Sequence, residues 1–370
     1  MILVKFGILV LNIIYFFIKL FPQRKRITFI SRQSNKKSDD ISLLEKEIKK
    51  RDSSIDVVVL CKKIEKGLAS KVKYFFHMFK QMYYLSTSKV IILDGYCICA
   101  SVLKKKKNTT IIQMWHALGA FKKFGLSIID SEEGTSSKLS KGMKMHKNYD
   151  YILTSSSNTR RYFKDAFGYD INRVIVMPLP RVDYLTDKKR KKEVIKKVIK
   201  KYPQCKSKKN IIYVPTFRKG MEDIDKINEL INCIDYSKYN LIVKPHPLSN
   251  IKIKDERVIC DKYFSSIDMI TMGDYVITDY SAIVFEASIL EKPLFFYCYD
   301  YDKYYRRRNF YINYKEEMPG IITDDAKEIV NSIENNQFDL DRVEGFRDKY
   351  IELNEGKCTS NLVDFIFKFM

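Results

Sequence analysis

The sequence predicts an α/β protein: two Rossmann-like domains, each a parallel sheet covered by helices, behind an N-terminal membrane-associating helix. Three observations predict it. Short β-branched runs alternate with amphipathic stretches from Ile27 to Ile322, the pattern of repeated strand–helix–strand units. The chain has 370 residues, too many for one ordinary core. A Lys-rich stretch with Pro203 and Ser207 interrupts the alternation near its middle. The implied division is residues 1–22 for the helix, 23–187 and 210–345 for the domains, 188–209 for a linker and 346–370 for a C-terminal helical segment.

Met1–Phe21 is apolar apart from Lys5, Gly7, Asn12 and Lys19, and is followed by Pro22 and Arg24-Lys25-Arg26. As a helix it reaches about 31 Å, barely a bilayer core. Lys5, Asn12 and Lys19 recur every seven residues and share one narrow stripe. A polar stripe on an apolar helix suits lying in the membrane interface, with the basic cluster on anionic headgroups. No small-residue cleavage site follows.

In the first domain the strand candidates are Ile27–Ser31, Asp56–Cys61, Val90–Leu93, Ile111–Met114, Tyr151–Thr154 and Val174–Met177, with helices such as Asp39–Lys50 and Lys71–Leu85 between them. In the second they are Ile211–Val214, Leu241–Val243, Arg257–Cys260, Tyr275–Thr278, Leu294–Tyr297 and Gly320–Ile322. Facing domains of this kind leave a cleft, and ligands bind at the carboxyl ends of their strands.

Composition narrows the partners. Hydrophobic residues make up 45% and aromatics 13%, which excludes wholesale disorder. A net charge of +22 calls for an acidic partner: nucleic acid, anionic lipid or a polyanionic substrate. The eight Cys form no Cys-x-x-Cys pair, which fits a reducing compartment and buried thiols rather than disulfides or zinc.

The polar residues that follow the strands carry the chemistry. Thr278-Asp279-Tyr280-Ser281 lies between a buried strand and the helix Ala282–Leu290, where backbone N–H groups and two hydroxyls favour an anion. Glu286, further along that helix, is placed to accept from ribose hydroxyls. The plain alternative is a β-α-β unit with Asp279 or Ser281 as a helix cap. Two of the four His follow strands. His116, before a Gly-containing basic loop, suits a general base. His246, between Pro245 and Pro247, would present its imidazole together with Lys244 to a phosphate; Thr216 and Arg218 follow another strand. Tyr304-Tyr305-Arg306-Arg307-Arg308 reads as a nucleic-acid surface, as a phosphate clamp or as a solvated charge run, and its place after Leu294–Tyr299 favours the clamp. There is no Walker loop, G-x-G-x-x-G, H-E-x-x-H or Gly-x-Ser-x-Gly. Clustered acids for a metal are missing, although Asp300 and Asp302 would hold a cation weakly, so neither a metal site nor a cofactor is expected.

Taken together, Trp115-His116 through Gly125, Tyr213–Arg218, Lys244-Pro245-His246-Pro247, Asp274–Ser281 with Phe285-Glu286 and Lys292-Pro293, Arg308–Tyr311 and Pro319-Gly320 resemble the CDP-glycerol glycerophosphotransferase family of teichoic acid synthesis. The resemblance implies a GT-B-like architecture at the inner membrane face. It implies transfer of an alditol phosphate, glycerol phosphate or ribitol phosphate, from a CDP-alditol to a lipid-linked polyanionic or glycan acceptor, with release of CMP and no nucleic-acid partner. By the same resemblance His116 is the base, His246 binds phosphate and Thr278-Asp279-Tyr280-Ser281-Ala282 is the donor loop. Ala282 replaces a second Ser, His116-Ala117-Leu118 replaces His-Gly-Thr, and Asn309 stands where Gly is frequent. The competing readings are a nucleotide-sugar glycosyltransferase of the same fold, which would release a nucleoside diphosphate, and a non-catalytic membrane or nucleic-acid binder.

Overall fold

The computed structural model describes residues 2–65, 67–218, 223–246, 249 and 251–370. The chain forms two compact units, Met1–Asp183 with Glu352–Met370, and Tyr184–Ile351.

The first unit is built on β1 (Arg24–Ser31), β2 (Asp56–Cys61), β3 (Ser88–Leu93), β4 (Thr110–Gln113), β5 (Tyr151–Thr154) and β6 (Val174–Val176). They pair in parallel in the order β2-β1-β3-β4-β5-β6. Val90-Ile91-Ile92-Leu93 is buried throughout, as a strand covered on both faces must be. The helix Asp39–Arg51 begins on the Ser38 cap and buries Ile41, Leu44 and Ile48 along one face. Chain order reverses between β1 and β3, which makes their carboxyl ends the topological switch point.

The second unit contains β7 (Lys209–Tyr213), β8 (Tyr239–Val243), β9 (Ile259–Cys260), β10 (Tyr275–Thr278), β11 (Leu294–Tyr297) and β12 (Ile321–Thr323). Its order is β12-β11-β10-β7-β8-β9, again parallel. Here the switch point falls between β7 and β10, so the segments Pro215–Arg218 and Asp279–Ser281 leave adjacent strands there.

Three expectations change. The predicted linker holds the helix Lys188–Lys201, capped by Asp187, with Arg190, Val194 and Val198 buried and the helix Ser266–Met272 against it. Its lysines solvate the outer face while buried residues recur every four positions, so it belongs to the second unit. The C-terminal helix Cys358–Phe367 belongs to the first: it packs on Asp39–Arg51, and Asp183 accepts from the Cys358 and Thr359 N–H groups at 2.9 and 2.8 Å.

The third change concerns the N-terminal helix, Ile2–Ile18; Met1 lies outside the described residues. Asn12 turns toward the protein and donates to Val102 O at 3.3 Å, beside buried Leu11 and Tyr15. The outward residues are mostly apolar, Ile2, Phe6, Leu9, Ile13, Phe16 and Phe17, with Lys5 exposed among them. Among the described residues no helix is long and apolar enough to cross a membrane.

Candidate active site

At the switch point of the first sheet lies a cavity of about 240 Å³ lined by Gln33, Ser38, Asp40, Asp94, Met114, Trp115, His116 and Arg181. Gln33 comes from the segment after β1, Asp94 directly follows β3, and His116 lies just beyond β4. The turn that delivers His116 is strained, because Trp115 has φ 63°, a left-handed conformation that costs a bulky side chain about 1–3 kcal/mol. Surrounding contacts hold it. The Trp115 N–H donates to Gln113 Oε1 at 3.0 Å, Gln113 Nε2 donates to Gly95 O at 3.1 Å, and the indole stacks on Phe124 at 4.8 Å. Gly125, which follows, has φ 59°, and a Cβ there would stand 2.3 Å from Ala166 O.

His116 Nδ1 lies 2.7 Å from the Asp94 carbonyl oxygen. A carbonyl only accepts, so Nδ1 carries the proton and Nε2 keeps its lone pair. Burial leads in lowering the imidazole to about 4, and Arg181 lowers it further, while the Asp94 carbonyl and Asp40 oppose the shift. The ring is therefore neutral at physiological pH, as a base must be, and an anionic substrate brought beside it moves the value back up. Arg181 secures the loop: its N–H and Nε donate to buried Asp40 at 2.8 and 2.9 Å, and Nη2 donates to His116 O at 3.1 Å.

In the second unit the predicted residues form a closed network. Asp279 is fully buried and accepts from Thr216 N at 2.9 Å, from the Thr216 hydroxyl and from Arg218 Nη1 at 2.8 Å. Arg218 also donates through Nε and Nη2 to Asp300 at 2.7 and 2.9 Å. Burial works against its charge, but Asp279 and Asp300 outweigh it and raise the guanidinium's pKa. The Thr278 hydroxyl donates to Val214 O at 2.8 Å. Lys244 is buried and gives its protons to Asp261 Oδ2 at 2.8 Å, Asp261 O and Phe264 O.

These bonds correct several expectations. Thr216, Arg218, Lys244 and Thr278 are held by protein acceptors and are not presented as open phosphate donors, and Asp300 answers Arg218 rather than a cation. Ser281 is half-buried, and its Oγ accepts from Ile283 N at 3.3 Å, while the N-cap position of the following helix is Ala282, not Asp279 or Ser281. Glu286 is buried on the helix Ile283–Ile289. His246 is exposed and stacks on Phe217 at 5.2 Å, which joins the segments after β7 and β8; Pro247 lies outside the described residues. Arg308 ends the helix Tyr301–Arg308, whose Tyr304 stacks on Tyr280 at 3.9 Å. Tyr305 of the same helix is 43% exposed. Among the described residues no group of three or more His, Cys, Asp or Glu could hold a metal ion.

Gln33, Asp40, Asp94 and Arg181 escape the sequence reading. Asp94 had a usable signal, since it is the first residue after a predicted strand. Asp40 and Arg181 had none, because their pairing spans 141 positions.

The family model for CDP-Glycerol:Poly(glycerophosphate) glycerophosphotransferase matches residues 13–368, and the chain belongs to that family. It is 32% identical to the teichoic acid ribitol-phosphate primase of Bacillus spizizenii, over 94% of this chain and 92% of the relative. It is 34% identical to the teichoic acid glycerol-phosphate primase of Bacillus subtilis, over 78% of this chain and 76% of the relative. Among solved structures the wall teichoic acid polymerase TagF aligns with TM-score 0.72 at 23% identity, over 93% of this chain and 88% of that one, which supports the GT-B-like fold class.

Proposed function

We propose that this protein transfers an alditol phosphate from a CDP-alditol to a membrane-linked acceptor in teichoic acid synthesis, releasing CMP. The observation that carries the reading is His116, whose Nδ1 is bonded to Asp94 O while Nε2 stays basic beside a cavity at a strand switch point. An acceptor hydroxyl gives its proton to Nε2, its oxygen bonds to the β-phosphorus of the donor, and the bond from that phosphorus to the CMP oxygen breaks. The donor belongs to the second unit. Ser281, His246 and Arg308 meet its phosphates and Glu286 its ribose, while Thr216, Arg218, Lys244, Thr278 and Asp279 hold the loops in place.

The reading places the protein on the cytoplasmic face of the membrane. The apolar outer face of Ile2–Ile18 and the exposed Leu68, Val72, Phe75 and Phe76 of the helix Leu68–Thr87 suit the lipid interface. The basic excess suits anionic headgroups and a polyanionic acceptor.

The test is CMP release from CDP-glycerol and from CDP-ribitol, offered separately with a lipid-linked glycerol-phosphate acceptor. One donor yields CMP, and His116→Ala lowers the rate about 10²- to 10⁴-fold. Equal rates in wild type and variant remove His116 from the chemistry.

A further inference from the structure

The helix Lys188–Lys201 carries a charged surface that neither strand-end site uses. Lys188, Lys189, Lys192, Lys196, Lys197, Lys200 and Lys201 are exposed, and Glu193 is the only acid in the helix. Elsewhere on the surface lysines answer acids: Lys37 bonds Glu45, Lys226 bonds Glu229 and Lys349 bonds Glu317. Among the described residues these helix lysines form no ion pair, and Lys201 rests on the exposed ring of Tyr263 at 5.5 Å. The arrangement costs the helix stability. Lys188, Lys192, Lys196 and Lys200 lie four residues apart, about 6 Å along the axis, and like charges at that spacing repel. Lys188 and Lys189 also stand at the amino end, where the helix dipole disfavours cations. The Asp187 cap and the burial of Val194 and Val198 hold the helix in spite of this.

We propose that this lysine stripe binds the phosphodiester chain of the acceptor, a linear polyanion, on a helix that supplies no residue to either strand-end site. The identity of the chain rests on the transferase reading: each alditol phosphate added leaves one phosphodiester, so the acceptor gains one negative charge per unit along a line. A phosphate lying between successive lysines removes their repulsion and accepts charge-assisted hydrogen bonds from their ammonium groups. The stripe from Lys188 to Lys200 extends about 18 Å, long enough to meet several units at once. A lipid surface fits it less well. Val194 and Val198 are buried and Ile195 and Ile199 half-buried, so the helix sends no apolar side chain outward. Phe6 and Phe16 of Ile2–Ile18, and Phe75 and Phe76 of Leu68–Thr87, do point outward. The stripe is thus a holding site that keeps the acceptor chain on the protein.

Equilibrium binding of a soluble oligo(glycerol phosphate) of about ten units, with no CDP-alditol present, tests this through its salt dependence. Wild type is compared with the triple variant Lys192→Gln, Lys196→Gln, Lys200→Gln. A control triple, Lys252→Gln, Lys254→Gln, Lys327→Gln, removes the same charge from exposed lysines elsewhere in the second unit. The stripe variant binds about tenfold more weakly or worse, and its log–log salt slope shrinks by about two, as three lost phosphate contacts on a single-stranded polyanion require. The control stays within about twofold of wild type, because charges off the stripe add only a screened field. A stripe variant that binds like the control, or a wild type with no measurable affinity, overturns the proposal. So does a stripe variant that keeps the oligomer and loses only its partitioning onto phosphatidylglycerol vesicles, since the stripe then faces lipid. Binding is read without turnover, so a wild type that holds the oligomer through the stripe yet releases no CMP supports the stripe and counts against the transferase reading alone.

Discussion

Arg218, with Asp279 on one side and Asp300 on the other, shows how a residue suited to phosphate can be spent on the scaffold. Removing one partner of a buried pair leaves charge without compensation, so Asp279→Ala is expected to cost about 3–5 kcal/mol of stability, read by denaturant unfolding. A loss under 1 kcal/mol would mean that the pair is not formed. The histidines and the Thr278–Ser281 segment were legible in the sequence because strand ends are recognisable and short polar runs stand out against β-branched ones. Which side chains consume one another was not legible, since Arg218 and Asp300 are 82 positions apart and local pattern carries no information at that range. The same blindness hid Asp94: its place after a strand was readable, but its burial beside His116 appears only once β1, β3 and β4 are brought side by side.

At the level of elements, strands were the most legible. Tyr151–Thr154, Tyr275–Thr278 and Leu294–Tyr297 form over the residues that their β-branched and aromatic runs predict, because a largely buried strand needs no alternation to be recognised, and the edge strand Asp56–Cys61 forms over its Val-rich run as well. Helices with one charged face were read less well. The lysines of Lys188–Lys201 suggested a linker, although Arg190, Val194 and Val198 mark a packed face. The polar stripe of Ile2–Ile18 is split: Asn12 faces inward, whereas Lys5 is exposed among apolar residues. On the helix Leu68–Thr87, Phe75 is 48% and Phe76 64% exposed, so replacing both with Ser has little effect on folding. Sedimentation with anionic lipid vesicles should show at least tenfold weaker partitioning for that double variant, from the apolar area no longer buried in lipid. Unchanged partitioning would remove this helix from the membrane surface.

Across the whole molecule, two parallel sheets carry their candidate residues where chain order reverses, between β1 and β3 and between β7 and β10. The first supplies a neutral imidazole beside the buried Asp94 carboxyl; the second supplies loops fixed by buried ion pairs. A net charge of +22 suits a donor, an acceptor and a lipid surface that are all anionic. The central claim is that the β-phosphate leaves with the alditol rather than with the nucleotide, and a CDP-alditol labelled with ³²P at that position tests it most directly. Label recovered in the lipid-linked product, with unlabelled CMP in solution, is the predicted result. Label recovered in released CDP would contradict it and assign the protein to glycosyl-type transfer.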